Sequence, residues 1–596
     1  MPNGDPKTYP VFVRTFLPEF PEDPAASAAP DAHTSARLRH VEGDVTCTAL
    51  GAGGLYAGTA QSGLWHMFGK RAVWHTISKS TSPLPGDSIH ALQYDSCGML
   101  WIAGDAGVCI YDGTDFWRTP ADMDTLPQSP VYSLCIAENG WRCFGGQDAL
   151  LLLMDGQLHY LGAERWLPGG KVLQIAVRGN AIYAKCEAGS AKIEVQRMTL
   201  EEKAQIYQAN TELYHLREGF VAPRRLAQTG DLASGHVGHT DNDGLWTGVY
   251  VAAQALRYAV TQGEAARACA ANSLRAMLKL TAVTGIPGFT ARAIRRPGAR
   301  GYGDGNAEWI PFADETGAGE WKCETSSDEM VGQFFGQSYY FDLCADAAEK
   351  AQIRDTLCAI VDHMLQNDYR LCDADGLPTT WGNWNPSDLN HDSKWFWERG
   401  VNAAEMLMFL RTAHHVSGDE KYLAVYDMLA QRHHYLLNAV RHKIDDGHDC
   451  HIDDKLAMFT FDTLLRYETR PSVRAYLLDG LCHHWRYERV EQTPLWNFIA
   501  SAHLGRSCDV DLACAGLAQF PLDLITYPVH NSHRPDVAYD AQRRQLTVPL
   551  PYTEAPIDRF GHERFAADGG DGCTAIYGTI FLLPYWYGRY HGLIEA

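Results

Sequence analysis

Along residues 42–200 the hydrophobic positions come in short runs that alternate with polar ones and end at glycine, the period of strands. Val45-Thr46-Cys47-Thr48-Ala49-Leu50 and Ser88-Ile89-His90-Ala91-Leu92-Gln93-Tyr94 are two such runs. Four glycine-led runs recur: Gly54-Leu55-Tyr56-Ala57-Gly58, Gly98-Met99-Leu100-Trp101-Ile102-Ala103-Gly104, Gly140-Trp141-Arg142-Cys143-Phe144-Gly145 and Gly179-Asn180-Ala181-Ile182-Tyr183-Ala184. Their starts lie 44, 42 and 39 residues apart. A strand-turn-strand unit at this spacing predicts β-propeller blades, about four of them. Residues 1–40, rich in proline and alanine and without a period, read as an extended arm.

Near residue 200 the period changes to that of helices. Thr199 caps a predicted helix beginning Leu200-Glu201-Glu202. Further helices are predicted near 245–262, 266–283, 328–345, 348–366, 397–415, 419–438, 453–467, 472–486, 494–504 and 510–518. Short connections join 262 to 266, 345 to 348, 415 to 419 and 467 to 472; long ones join 283 to 328, 366 to 397 and 438 to 453. If every short connection makes an antiparallel hairpin, all long loops lie at one end of the bundle. Five or six such hairpins closing in a ring form an (α/α)6 toroid with its loops around one mouth. The expected fold class is therefore multidomain, α and β. It comprises an arm at 1–40, a β-propeller-like module at 41–200, a linker helix at 201–230 and an (α/α)6 toroid at 231–596.

The propeller segments resemble the two-component regulator propeller repeat, whose core reads roughly G-x-L-W-I-G-T-x-x-G-L-x-x-Y-D-G. Here it stands as Gly98 to Gly104 followed by Gly107-Val108-Cys109-Ile110-Tyr111-Asp112-Gly113. The resemblance covers about 160 residues and has fewer blades than the family usually has.

Composition narrows the function. Hydrophobic residues make up 46% and charged residues 21% of the chain, an ordinary globular balance. The formal net charge of −21 argues against nucleic acid and anionic membranes, which need a basic face. There is no run of 18 apolar residues and no basic, apolar leader at the N-terminus. The expected location is the cytoplasm, or the periplasm or exterior if a signal peptide was removed. The 16 cysteines are scattered without a CxxC pair and read as buried reduced thiols. No P-loop, dinucleotide fingerprint or GxSxG elbow is present.

Candidate chemistry gathers where long loops enter helices. These junctions read Gly235 to Trp246, Trp321 to Glu329, Thr379 to Pro386 with Lys394 to Arg399, and His448 to Lys455. Each is rich in carboxylates, histidine or tryptophan. Acids at helix starts are also ordinary caps, but loops this long in a compact domain are usually functional. A pair of carboxylates across a cleft can serve as general acid and base on a glycosidic bond, one kept protonated by poor solvation. The expected acid is Asp328 or Glu329, with Asp241, Asp243 or Asp454 as base. Trp381, Trp384, Trp395 and Trp397 form the candidate sugar platform, joined by Trp246, Arg296, Tyr302, His239 and His451.

The helical region resembles the six-hairpin toroid glycosidases and polysaccharide lyases over about 360 residues. The likeness is one of architecture and of the acidic motifs Asp241-Asn242-Asp243-Gly244-Leu245-Trp246 and Ser326-Ser327-Asp328-Glu329, and it transfers no catalytic pair. It implies a carbohydrate-active enzyme acting on an oligosaccharide or small molecule. A lyase, or a metal-assisted hydrolase or hydro-lyase, acting on a non-sugar or uronate substrate in the same pocket is a rival, with Arg292, Arg295, Arg296 and Arg300 beside Tyr302 as cations for elimination on a uronate and His530, His533 and Arg534 completing the mouth. A ligand-sensing scaffold without catalysis is another. No cofactor is required. A divalent metal is admitted by His239, Asp241 and Asp243 lying beside His448, His451, Asp453 and Asp454, although no zinc spacing supports it. Asp241 to Gly244 and Asp373 to Gly376 look like halves of a calcium loop but lack its closing glutamate. Homo-oligomerisation is left open.

Overall fold

The computed structural model describes residues 6–21, 37–51, 54–68, 73–82, 84, 86–117, 126–445, 451–557 and 564–595. Its N-terminal part is four antiparallel four-stranded sheets. The first holds β2 (Val45–Gly51), β3 (Gly54–Thr59), β4 (Leu64–Phe68) and β5 (Val73–Ile77). The second holds β6 (Ile89–Tyr94), β7 (Leu100–Gly104), β8 (Gly107–Tyr111) and β9 (Phe116–Trp117). The third holds β10 (Ser133–Ile136), β11 (Arg142–Gly145), β12 (Ala149–Met154) and β13 (Gln157–Gly162). The fourth holds β14 (Val172–Arg178), β15 (Ala181–Cys186) and β16 (Gly189–Met198). The four glycine-led repeats become β3, β7, β11 and β15, the second strand of each blade.

The blades stack because neighbouring sheets bury apolar side chains between their facing sides. Among the described residues three apolar cores join consecutive blades. Tyr56, Leu64, Ile89 and Ile102 lie in the first, Trp101, Phe144 and Leu151 in the second, and Leu150, Leu152, Ile182 and Ile193 in the third. A central strand such as β12 is therefore apolar on both sides, and all six of its residues are buried.

The N-terminal arm is corrected. Tyr9–Leu17 is β1, paired with β16 from Tyr9↔Met198 to Leu17↔Ser190 as the outer strand of the fourth blade. Its pairing partner lies far along the chain, so local composition could not reveal it. Residues 22–36 of the expected arm lie outside the described residues.

The C-terminal part is a ring of helical hairpins. Its inner helices are α2 (Asp243–Thr261), α4 (Ser327–Leu343), α6 (Arg399–Ser417), α9 (His451–Tyr467), α11 (Pro494–Leu504) and α13 (Thr579–Tyr590). Its outer helices are α1 (Leu200–Tyr214), α3 (Glu264–Ala282), α5 (Ala347–Gln366), α7 (Glu420–Arg432) with α8 (Tyr435–Asp445), α10 (Pro471–Glu488) and α12 (Val510–Gln519). Neighbouring inner helices pack in chain order, and α13 closes the ring against α2. Deep in the ring Asp462 on α9 accepts hydrogen bonds from Tyr339 on α4 (2.6 Å) and Tyr587 on α13 (2.7 Å) and pairs with His503 on α11 (2.8 Å). The outer layer closes through Lys203 of α1, whose ammonium donates to the Ala518 and Phe520 carbonyls at the end of α12 (both 2.6 Å).

Three expectations change. The "linker" helix is α1, the first outer helix, capped by Thr199 as expected and closed by a capping box with Glu202. The predicted helix at 419–438 breaks at His433–His434, where His434 adopts φ +61°, and α8 then fills much of the expected long loop before 453. The ring-closing α13 escaped the periodicity because Pro584 lies inside it.

The closest inner crossing sets the geometry of the mouth. On α2 and α4, Gly244, Gly248, Gly332 and Gly336 bring the two backbones together. A Cβ on Gly332 would stand 2.2 Å from Leu245 Cα, and one on Gly248 2.2 Å from the Gly332 carbonyl oxygen. Backbone cannot step aside as a side chain does. Gly332→Ala is therefore expected to cost about 3 kcal/mol in urea unfolding at pH 7, at the upper end of overpacking effects. A loss below about 0.5 kcal/mol would contradict the close crossing.

The two parts meet through the segment before α13. Arg165 pairs with Asp523 (2.5 Å) and donates to the Ile525 carbonyl, and Arg14 donates to Tyr527 Oη (3.0 Å). Arg534 stacks over Tyr160 at 4.1 Å and pairs with Glu554 and Asp536. This occupies Arg534, which had been expected to line the mouth. No helix of the described residues is long and apolar enough to cross a membrane.

Candidate active site at the mouth of the toroid

Tight turns such as Gln262–Gly263 and Gly418–Asp419 join inner to outer helices at one end. All six inner helices therefore begin at the other end, where the long connections lie. Six helix N-termini facing one mouth make it a favourable place for carboxylates.

The five expected catalytic acids have different fates there. Asp328, in the first turn of α4, is partly buried and makes no hydrogen bond or ion pair with a described residue. It is available to the mouth. Glu329 is one residue on, fully buried against α2, and accepts from Gly244 N–H (2.8 Å). Burial drives its pKa well above the usual value, the Gly244 N–H opposes this weakly, and Asp243 adds to it. Glu329 is a core residue, withdrawn from solvent.

Asp243 is also withdrawn. It is fully buried, and its oxygens accept from Thr240 N–H (2.8 Å), Thr240 Oγ1 (3.0 Å), Arg217 (2.7 Å) and Ile294 N–H (3.3 Å). A carboxylate so saturated has no free lone pair for a proton, which removes it as a base. Asp241 is bound by Lys322, by Arg292 (3.3 Å) and by Asn306 (3.1 Å). Burial opposes its ionisation, but the Lys322 and Arg292 charges outweigh that and hold it below the usual range. It is a weak base that ties the first long loop together. Asp454, 2% exposed, sits behind the mouth near His442 and His484.

Sequence reasoning missed the acid that fits the mouth best. Glu398 directly precedes α6 and is partly buried. Burial, then the charges of Asp453 on α9 and Asp328 on α4, push its pKa up to about 8. About two turns deeper, Glu405 is fully buried and accepts from Trp384 Nε1 (2.9 Å). Burial raises it far above the usual range, and Asp328, Glu398 and Asp453 add to the effect. Consecutive inner helices thus bring Asp328 and Asp453 within electrostatic reach of Glu398. The stretch Trp397-Glu398-Arg399 stood in a flagged junction, but nothing in its spacing set Glu398 apart.

The tryptophan platform divides. Trp384 is fully buried and Trp395 is 5% exposed, so both are core. Trp246 is buried under the Lys455 ammonium, 4.8 Å from its ring. Trp381 is 49% and Trp397 47% exposed. A bridge from Trp381 to Ser326 holds it beside the start of α4, and Trp397 adjoins Glu398 with its ring edge-to-face on Phe396. These two remain as candidate stacking faces.

The basic and histidine candidates are mostly committed elsewhere. His239 is buried and bonded to Asp304 (2.7 Å). Arg292 is taken by Asp241, Arg295 by Asp304 and Glu320, and Arg296 by Glu218. Tyr302 is exposed on its loop. His451 opens α9, but its side chain and all of His448 lie outside the described residues. In the expected metal half-site, Asp241 pairs with Lys322 and Arg292, Asp243 with Arg217, and His239 with Asp304. The cysteines described are free thiols.

No protein-family model matches the sequence, and no curated protein is significantly similar to it. Among solved structures, AaCel9A in complex with cellobiose-like isofagomine aligns with 77% of this chain and 94% of its own, at 12% identity and a TM-score of 0.36. The extracellular domain of the hybrid two component system BT3049 from B. thetaiotaomicron aligns with 25% of this chain at 15% identity and a TM-score of 0.22. This chain spans only 21% of that domain. Virginiamycin B lyase from Staphylococcus aureus, with Quinupristin, aligns over 27% of this chain and 57% of its own, at 15% identity and a TM-score of 0.19. The chain is a β-propeller-like module followed by an (α/α)6 toroid. Its own strand pairing and helix order carry that statement.

Proposed function

We propose that the mouth of the toroid hydrolyses a glycosidic bond. Glu398 donates a proton to the leaving oxygen, and Asp328 or Asp453 acts from the other side of the sugar ring as base or nucleophile. The observation that carries this reading is the raised pKa of Glu398, about 8, between two further carboxylates at a solvent-reaching rim. A poorly solvated acid beside further carboxylates is the arrangement that acid/base cleavage needs. Trp381 and Trp397 supply exposed aromatic faces on which sugar rings stack. Elimination is less well supported, because three of the four candidate arginines, Arg292, Arg295 and Arg296, are already paired, which leaves the exposed Arg300.

The test is release of reducing ends from a panel of oligosaccharides and aryl glycosides. Asp328→Asn is expected to lower kcat by about 10²–10⁴-fold with KM little changed. Trp381→Ala is expected to raise KM by about 10-fold and leave kcat within about 3-fold. Wild-type protein that neither turns over nor binds any member of the panel would overturn the reading.

A further inference from the structure

The outer layer behind the mouth holds a cluster that the proposed chemistry does not use. His442 comes from α8, Asp454 from the first turn of α9 and His484 from α10. They are 6%, 2% and 1% exposed. One ligand atom from each lies within 4.8 Å of the others. His442 Nε2 is 3.8 Å from Asp454 Oδ1, too long for a hydrogen bond. It is nevertheless within the span of two ligands on one ion at about 2.0–2.2 Å each.

Two details separate this from a chance meeting of polar groups. His442 is more than nine-tenths buried, yet neither of its ring nitrogens makes a hydrogen bond. An imidazole left so in a helix interface costs free energy unless something binds it. His484 Nε2 lies 3.1 Å from the backbone carbonyl of Asp454. A carbonyl only accepts, so Nε2 carries the proton and the lone pair of a neutral ring is on Nδ1. Donation of one ring N–H to a carbonyl is how metal-binding histidines are oriented. The two rings stack 5.4 Å apart at 16°. Gly400 of α6 backs against His442, where a Cβ would stand 2.7 Å from Nδ1.

We propose that His442, Asp454 and His484 bind one divalent transition-metal ion between α8, α9 and α10. Two imidazoles and one carboxylate favour zinc, cobalt, iron or nickel over calcium or magnesium, which prefer oxygen. The ligand atoms stand a few tenths of an ångström wide of a closed shell, so binding draws the side chains inward. The ion ties the first turn of α9 to the outer layer and so positions Asp453 at the mouth. The ligand set shares only Asp454 with the one suggested by sequence. It does not depend on the glycosidase reading.

The test uses the full chain stripped with a chelator and titrated with Zn²⁺ or Co²⁺. Wild type is expected to bind one ion, to gain thermal stability on Zn²⁺ addition and to show the visible absorption of low-symmetry Co²⁺. His442→Ala and His484→Ala should each weaken binding at least 100-fold and abolish the stability gain. His530→Ala, an exposed histidine elsewhere, should change neither. Wild type that shows no stability gain and no Co²⁺ absorption overturns the proposal, as does unchanged binding by the His442→Ala/His484→Ala double variant. Should the histidine variants fail to fold, X-ray absorption of the wild-type zinc form decides, by the presence or absence of two imidazoles around zinc.

Discussion

Replacing Glu398 by glutamine is expected to lower turnover by about 10²–10⁴-fold while raising stability at alkaline pH. Both effects have one cause. Burial, with the Asp453 and Asp328 charges, lifts the Glu398 pKa to about 8 in the folded protein. In the unfolded chain the same group titrates near the ordinary glutamate value of about 4.3. Between these values the folded state holds a proton that the unfolded state has lost. Stability contributed by this group is therefore fully present below about pH 4.3, falls through the window and is lost above about pH 8.

Glutamine is neutral throughout. The variant's advantage in Tm should thus be absent near pH 4, grow through the window and level off by about pH 9. The alkaline limb of the wild-type kcat/KM profile should fall near pH 8 and vanish in the residual activity of the variant. Thermal melts at pH 4, 7 and 9 beside a pH–rate profile check both effects. A variant destabilised at pH 9, or fully active, would remove Glu398 as the proton donor.

Asp243→Asn is expected to show the opposite pattern, a large loss of stability with little change in chemistry. Asp243 is fully buried and joins three mouth segments through Thr240, Arg217 and Ile294. Its partner Arg217 is 17% exposed, so asparagine would leave a largely buried guanidinium unpaired. Breaking such a pair costs about 3–5 kcal/mol. The arginine's partial exposure puts the expectation at the lower end, about 3 kcal/mol by urea unfolding. Per folded molecule, kcat should stay within about 10-fold of wild type. If stability holds but kcat collapses, Asp243 belongs to the reacting groups after all.

These two residues show how far the site was legible. The loop-to-helix junctions were readable because alternating short and long connections force the long ones to a common end. That placed Asp328, the Asp453–Asp454 pair and Trp397-Glu398 at the starts of inner helices, where the structure has them. Which of them reach solvent was not readable. Asp328 opens to the mouth while Glu329 is fully buried, and Trp397 is exposed while Trp395 is core. Successive residues of a helix point roughly 100° apart, so neighbours in sequence separate at its first turn. The same rotation turns Asp454 away from the mouth toward two histidines that come from helices flanking α9 in the chain.

The sequence by itself determined the local architecture. Glycine-led repeats every 39–44 residues specified β3, β7, β11 and β15, and helical periods with uneven connections specified the hairpins of the ring. Both are short-range signals, carried by side-chain alternation and turn chemistry within a few residues. Only the tertiary structure decided what depends on distant partners. It paired β1 with β16, closed the ring through α13 despite Pro584, saturated Asp243 and Asp241 with cations, and left Glu398 poorly solvated between two acids. Charge and burial are properties of the assembled surroundings, and a carboxylate's role follows from them rather than from its place in the chain.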